Sequence, residues 1–235
     1  MKLLPSTKAG RQVAYEIISG GSGFVLALFM WGHMVFVGSI LIGTYSFDWL
    51  ALQLEVYFIA QPTVVAIFAL FLVHAVLAAR KIPAQLEDRR KMIKLGRDLK
   101  SQAHEESLLW IWQVRTGMIV LVLGSFHLVL LGIDVLTPLF GERVGIESVT
   151  SLARVQAGLW LPYAVLLICV EFHASIGLYR LAVKWGILSK LTRSTLRVIE
   201  RILLWFFLGL GVVILLVLAG VIPAPLAFLV AGGAA

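Results

Sequence analysis

Four histidines, His33, His74, His127 and His173, each sit inside a separate apolar segment of the chain. Hydrocarbon is a costly place for an imidazole, and an ionisable side chain at membrane depth marks a functional site. A lone membrane histidine is as readily a hydrogen-bonding partner for a neighbouring helix. One per segment in four segments, with a single further histidine (His104) left for the connections, is instead the donor set of two bis-histidine metal sites. Imidazole is a common axial ligand of iron, so the economical expectation is two haem groups held between helices. Zinc fits less well, because a tetrahedral site gathers its ligands at one depth. The single cysteine, Cys169, excludes an intrachain disulfide and cannot alone hold an iron–sulfur cluster.

Two carboxyl groups keep the histidines company. Glu171 stands two residues before His173, deep in an apolar segment. A carboxyl there is heavily penalised when charged, which makes it a candidate proton carrier, with a protonated acid hydrogen-bonded inside the bundle as the plainer alternative. Glu55 is the other lone acid in apolar company, between the first two apolar segments. It is placed to accept a proton from a substrate bound beside a nearby haem; a solvated surface acid is the plainer reading. Trp110, Trp112, Arg115 and Lys184 cluster near segment ends, where they could hold haem propionates. Aromatic-belt and snorkelling roles explain them almost as well.

The elements that must position these groups follow from composition. Of 235 residues, 60% are hydrophobic and only 14% charged, and the mean hydropathy is +0.96. A soluble domain of this size exposes far more charge, so the class is an all-α integral membrane protein. Five apolar stretches reach the length of roughly 20 residues needed to cross the hydrocarbon core. These spans I to V run approximately 22–45, 62–82, 109–133, 156–180 and 202–222, and residues 1–235 form a single membrane domain. Span I begins too late and runs too long for a cleaved signal peptide.

The net charge of +7 is distributed in alternation. Residues 1–21, 79–108 and 180–201 carry seventeen of the Lys and Arg side chains; the alternate connections carry only Arg143 and Arg154, and Arg115 lies within span III. The positive-inside rule puts the N-terminus in the cytoplasm and the C-terminus outside, as five crossings require. The basic charge therefore orients the chain and meets lipid headgroups or a partner; it is not a nucleic-acid surface. The longest connection, 83–108, reads as a cytoplasmic amphipathic helix and is compatible with docking a soluble subunit. Segment 46–61, short and aromatic, is expected to lie along the outer interface.

Depth then pairs the histidines. At about 1.5 Å per residue, His74 lies about 18 Å below the outer end of span II, and His173 is likewise in the inner half of span IV. His127 is near the outer end of the ascending span III. His33 joins it in the outer half if helix I begins before its Gly-rich stretch, near Tyr15 and Glu16. The expected pairs are His33 with His127 near the outer face, and His74 with His173 near the inner face. Gly32, Gly124, Gly177 and Ala78 lie close to these histidines and leave room for a flat group, although small residues are common wherever membrane helices pack closely.

The segments LFMWGHMVFVGSILIG (28–43), FLVHAVLAARKIP (71–83), LLWIWQVRTGMIVLVLGSFHLVL (108–130) and VEFHASIGLYRLAVKWG (170–186) resemble the di-haem cytochrome b subunit of quinol:fumarate reductases and succinate:menaquinone reductases. The resemblance covers four of the five spans. It implies haem b ligation by His33 with His127 and by His74 with His173, in agreement with the height argument. It further implies that Glu55 is the acid of a menaquinol site and that Glu171 belongs to a transmembrane proton pathway. Trp110 and Lys184 match residues that contact a propionate, and Arg154 matches an outer-side arginine with a one-residue shift. Apart from the resemblance, Tyr163 and Arg115 are further candidate cofactor contacts. Near the start of span I the family's polar Gln-Ser pair is replaced by Ser19-Gly20, leaving Ser19 as the candidate contact there.

The same resemblance implies a multi-pass subunit of the bacterial inner membrane that anchors a flavoprotein subunit bearing FAD and an iron–sulfur subunit, with room for a dimer of the whole complex. Menaquinol is expected to be oxidised near Glu55, with electrons passing from the outer to the inner haem and on to the iron–sulfur clusters, and compensating protons moving through Glu171. The chain itself has no flavin or dicarboxylate site. Two other classes stay open on sequence: a di-haem cytochrome serving a hydrogenase or formate dehydrogenase, and a proton-coupled transporter lined by histidines.

Overall fold

The computed structural model describes residues 7–80, 90, 91, 93–95, 98, 105–140 and 146–231, and among them every regular element is helical. Helix α1 runs Lys8–Gly38, α2 Thr44–Val56, α3 Ala60–Ala79 and α4 Glu105–Leu136. Then follow α5 Ser148–Arg154, α6 Trp160–Trp185, α7 Arg193–Leu218 and a last short turn, α8, Phe228–Ala231. Five stretches are long and apolar enough to cross a membrane: Lys8–Leu41, Ala60–Ala79, Leu108–Leu136, Ser148–Trp185 and Arg193–Leu218. These are the five expected spans. Most of the connection 83–108, with His104, lies outside the described residues.

The helices outrun their apolar stretches because hydropathy marks only the part that meets lipid. Helix α1 starts at Lys8, where the Thr7 side chain accepts from the Gly10 N–H at 3.1 Å and caps the first turn. Its 31 residues reach about 46 Å, against a hydrocarbon core of about 30 Å, so the polar first turns project beyond the apolar layer. That early start satisfies the condition under which His33 falls in the same half as His127. The Thr192 hydroxyl caps α7 in the same way, accepting from Thr195 N–H at 3.2 Å.

Helices α4 and α6, α6 and α7, and α1 and α3 make the most extensive packing contacts. A buried cluster of Ile40, Leu41, Phe47, Val155, Ile214, Val217 and Leu218 closes the end of the bundle next to α2. Val76, Val122, Ile202 and Trp205 are exposed on the outside, the arrangement lipid favours. Most of the aromatic segment 46–61 lies in α2, which buries Phe47 while Tyr45 and Trp49 face outward. Between α5 and α6 the chain breaks at Gly158, whose φ of 117° is open to glycine and strained for other residues. The fourth span is therefore two helices rather than one.

Candidate functional site

A cavity of about 1330 Å³ runs between α1, α3, α4 and α6, and all four membrane histidines line it. A single small ligand usually occupies roughly 300–1,000 Å³, so this space suits more than one large group. His33 and His127 face each other with ring centres 5.9 Å apart, and His74 and His173 with ring centres 6.2 Å apart. Two imidazoles sharing one metal from opposite sides, each nitrogen about 2 Å from it, place their ring centres about 6 Å apart. Each pair has that spacing. Among the described residues no three His, Cys, Asp or Glu gather as a metal cage, so the donor set is two imidazoles per site. That is the donor set of a bis-histidine haem, whose remaining ligands come from the porphyrin.

The levels are set by helical rise. Gly23 lies against His74, yet it is on the same helix as His33 and ten residues before it. Gly117 lies against His173 and is ten residues before His127. Ten residues rise about 15 Å, which is the axial offset between the two pairs. A Cβ on Gly23 would meet the His74 ring at 2.8 Å, and one on Gly117 would meet the His173 ring at 2.7 Å. Only a residue without a side chain lets those rings lie flat against α1 and α4.

The pair formed by His74 and His173 is anchored by backbone. His74 Nδ1 is 3.0 Å from the Ser19 carbonyl oxygen and 3.2 Å from Ser22 Oγ, and His173 Nδ1 is 2.9 Å from the Gln113 carbonyl oxygen. A carbonyl only accepts, so each Nδ1 carries the hydrogen and each Nε2 keeps the lone pair a metal needs. The other pair is held by packing. Phe29 stacks on His33 with ring centres 5.9 Å apart, and the Tyr163 ring meets His127 edge-on at 5.5 Å. His127 Nδ1 is buried and has no hydrogen-bond partner among the described residues.

Of the remaining residues singled out by sequence, Ser19, Trp110, Arg154, Tyr163 and Lys184 line the cavity, as do Gly32, Ala78, Gly124 and Gly177. Lys184 pairs with Glu16 across the cavity's Lys8 end, and Arg154 pairs with buried Asp134 at the α2 end. Arg115 and Trp112 are exposed on the outside of α4 and are not brought to the cavity. Their surroundings are those of snorkelling and belt residues.

The two acids lie beside the cavity rather than in it. Glu171 is fully buried, and neither carboxyl oxygen makes a hydrogen bond of normal geometry among the described residues. The buried indole N–H of Trp31 lies beside that carboxyl, and Trp31 stacks on Phe207 with ring centres 4.8 Å apart. Glu55, half-buried on α2, accepts from the Ile146 backbone N–H at 3.1 Å through Oε1. Asp48, about two turns earlier on the same face of α2, accepts from Ser148 N–H at 2.7 Å and Ser148 Oγ at 2.8 Å. Together they clip α2 to the start of α5.

Sequence reasoning passed over Gly23, Gly117, Gln113, Asp134 and Asp48. The first two had a usable signal, since a glycine ten residues before a histidine occurs on both α1 and α4. The Gln113 contribution is a backbone carbonyl, which no side-chain pattern announces.

Known proteins resemble this sequence. The family model described as succinate dehydrogenase/fumarate reductase transmembrane subunit matches residues 87–219. The fumarate reductase cytochrome b subunit of Wolinella succinogenes is 36% identical over 220 residues, spanning 88% of this chain and 82% of that protein. The fumarate reductase cytochrome b subunit of Helicobacter pylori strain J99 is 33% identical over 212 residues, spanning 87% of this chain and 79% of that protein. With five apolar helices and relatives of this kind, the chain is a multi-pass protein of the bacterial inner membrane.

Proposed function

The chain belongs to the succinate dehydrogenase/fumarate reductase transmembrane subunit family, and from that premise we propose that it is the di-haem cytochrome b anchor of a menaquinol-linked fumarate reductase. The observation that carries the reading is the presence of two facing histidine pairs at two levels of one cavity. His33 and His127 would hold one haem b and His74 and His173 the other. Bound there, the two groups supply one-electron storage and hence an electron path between the membrane faces.

The chain's own residues do the rest. The alternation of basic charge puts the Lys8 end of the bundle in the cytoplasm, so the His74/His173 pair faces the soluble subunits, an iron–sulfur protein and a flavoprotein carrying FAD. Lys184, Trp110 and Ser19 border that end and suit acidic edge groups such as propionates. At the outer end Glu55 takes protons from menaquinol, while Arg154 and Tyr163 border the outer pair. Glu171, fully buried beside Trp31, carries a proton inward. Moving an electron inward against a negative-inside potential is uphill by about 2.3 kcal/mol per 100 mV, and an accompanying proton cancels that charge movement.

The test is spectroscopic. The purified complex should show a reduced-minus-oxidised spectrum of b-type haem at two per copy of this chain, together with a FAD-bearing subunit. His127→Ala should remove one of the two and His74→Ala the other. A colourless protein would return the chain to the transporter class, and haem without a FAD-bearing partner would point to a hydrogenase or formate dehydrogenase assembly.

A further inference from the structure

We infer that Asp134 is a positioning residue for the outer histidine pair: it fixes Arg154 at the cavity wall, and the chain break at Gly158 is what brings Arg154 within its reach. The inference rests on the functional reading above.

Asp134 is 3% exposed and stands on α4 seven residues after His127. Seven residues make almost two full turns, so both side chains leave the same face of α4, about 10 Å apart along the axis. Arg154, the last residue of α5, engages both oxygens of that carboxylate: Nη2 donates to Oδ1 at 2.9 Å and Nη1 donates to Oδ2. This is the two-point geometry that fixes a guanidinium in orientation as well as in place. A guanidinium has five N–H donors, so three remain for an acidic group within the cavity that Arg154 lines.

The break at Gly158 makes the arrangement possible. Arg154 and Tyr163 are nine residues apart and would lie on opposite sides of an unbroken helix, since nine residues turn through about 900°. Both nevertheless line the same cavity, with Tyr163 against His127. The segment Val155–Leu159 between them holds Gly158 with φ of 117°, and the chain restarts as α6 in a new phase. Glycine is what that backbone angle needs.

Replacing a buried ion pair by apolar side chains is commonly neutral or stabilising, so packing alone gives no reason to keep one here. Its electrical effect does. As a pair, Asp134 and Arg154 are neutral; either one alone leaves a full charge close to the outer site in a medium that screens poorly. A positive charge favours the more reduced state of a nearby redox centre, and a negative charge the more oxidised state.

The experiment is an optical redox titration of the whole complex in membranes, with the outer wave identified as the one that His33→Ala removes. Asp134→Asn should raise the midpoint of the outer wave and Arg154→Gln should lower it. The double variant should bring it back towards the wild-type position, and Asp134→Glu should leave it near that position. The inner wave should stay put throughout. Should Asp134→Asn fail to assemble, the double variant decides: it leaves no lone buried charge, so the inference requires it to assemble with the outer wave little moved. An outer wave unmoved by the single changes, both waves moving alike, or a double variant displaced as far as a single one overturns the inference while leaving the functional reading intact. A wild-type complex without two haem waves overturns both.

Discussion

Adding one methyl group to Gly117 should cost the protein one haem and spare the other. The built Cβ lies 2.7 Å from His173 Cε1 and 2.8 Å from His173 Nδ1, whereas carbon atoms settle at about 3.5–4.0 Å. The ring must therefore retreat from α4 by about 1 Å. It cannot do so freely, because Nδ1 donates to the Gln113 carbonyl at 2.9 Å and Gln113 lies one turn from Gly117 on the same helix. Retreat stretches that bond to nearly 4 Å, beyond the range of a hydrogen bond. Losing the bond removes about 0.5–1.5 kcal/mol, and the overpacking adds about 1–3 kcal/mol. The combined penalty of about 1.5–4.5 kcal/mol corresponds to a weakening of the inner site by about 10- to 1,600-fold.

Gly117→Ala should therefore lower the haem content of the purified complex towards one per chain, with the lost component being the wave that His74→Ala also removes. Gly23→Ala should act on the same site from the other side, since its Cβ meets the His74 ring at 2.8 Å. Gly21→Ala is the matched control: it lies on α1 away from the cavity wall, and a Cβ there meets nothing within 4 Å. Two haems retained in Gly117→Ala with the inner midpoint unmoved would refute the reasoning, because the ring would then have no need of the glycine.

The acids give two further tests. Glu55→Gln keeps a carbonyl oxygen to accept from Ile146 N–H but removes the acid, so both haems should stay while quinol-linked turnover falls by the roughly 100-fold or more that a general base contributes; wild-type turnover would sink the assignment. Glu171→Gln replaces a buried carboxyl by a neutral amide of the same shape. It should slow quinol-coupled fumarate reduction while leaving reduction by an artificial donor unchanged, and equal loss with both donors would indicate misassembly instead.

The parts of this site that could be read from sequence are those fixed by helical rise. His33 and His127, and His74 and His173, could be paired by height because each sits on a span whose direction alternates, and the structure brings those partners face to face. What rise does not supply is azimuth. Arg115 sits at a plausible height in span III but faces outward, five residues from Trp110, which lines the cavity. Where helix α1 begins was equally hidden, because its polar first turns carry no hydrophobic signal and are held by a cap and a neighbour rather than by lipid. The break at Gly158 escaped notice for a related reason: a glycine in a membrane helix is usually a packing residue, and only the backbone angle distinguishes a joint from a notch.

Azimuth also organises the proposed chemistry of α6. Glu171 and His173 are separated by two residues, about 200° of rotation, so they leave the helix on opposite sides. His173 turns towards His74 on α3 and the Gln113 carbonyl on α4, within the cavity. Glu171 is absent from the cavity wall and lies on the side of Trp31 from α1, which is itself stacked on Phe207 of α7. On the proposed reading, one helix would separate a route for electrons from a route for protons by its own diameter, about 10 Å. That distance is short enough for the charges to offset each other in a poorly screening medium, and the intervening backbone keeps the proton carrier off the iron ligand. A variant that moved the acid to the cavity side, such as Glu171→Gln combined with Ala174→Glu, should therefore disturb the inner haem without restoring quinol-coupled turnover. Restored turnover would show that height alone matters and that the two-sided arrangement is incidental.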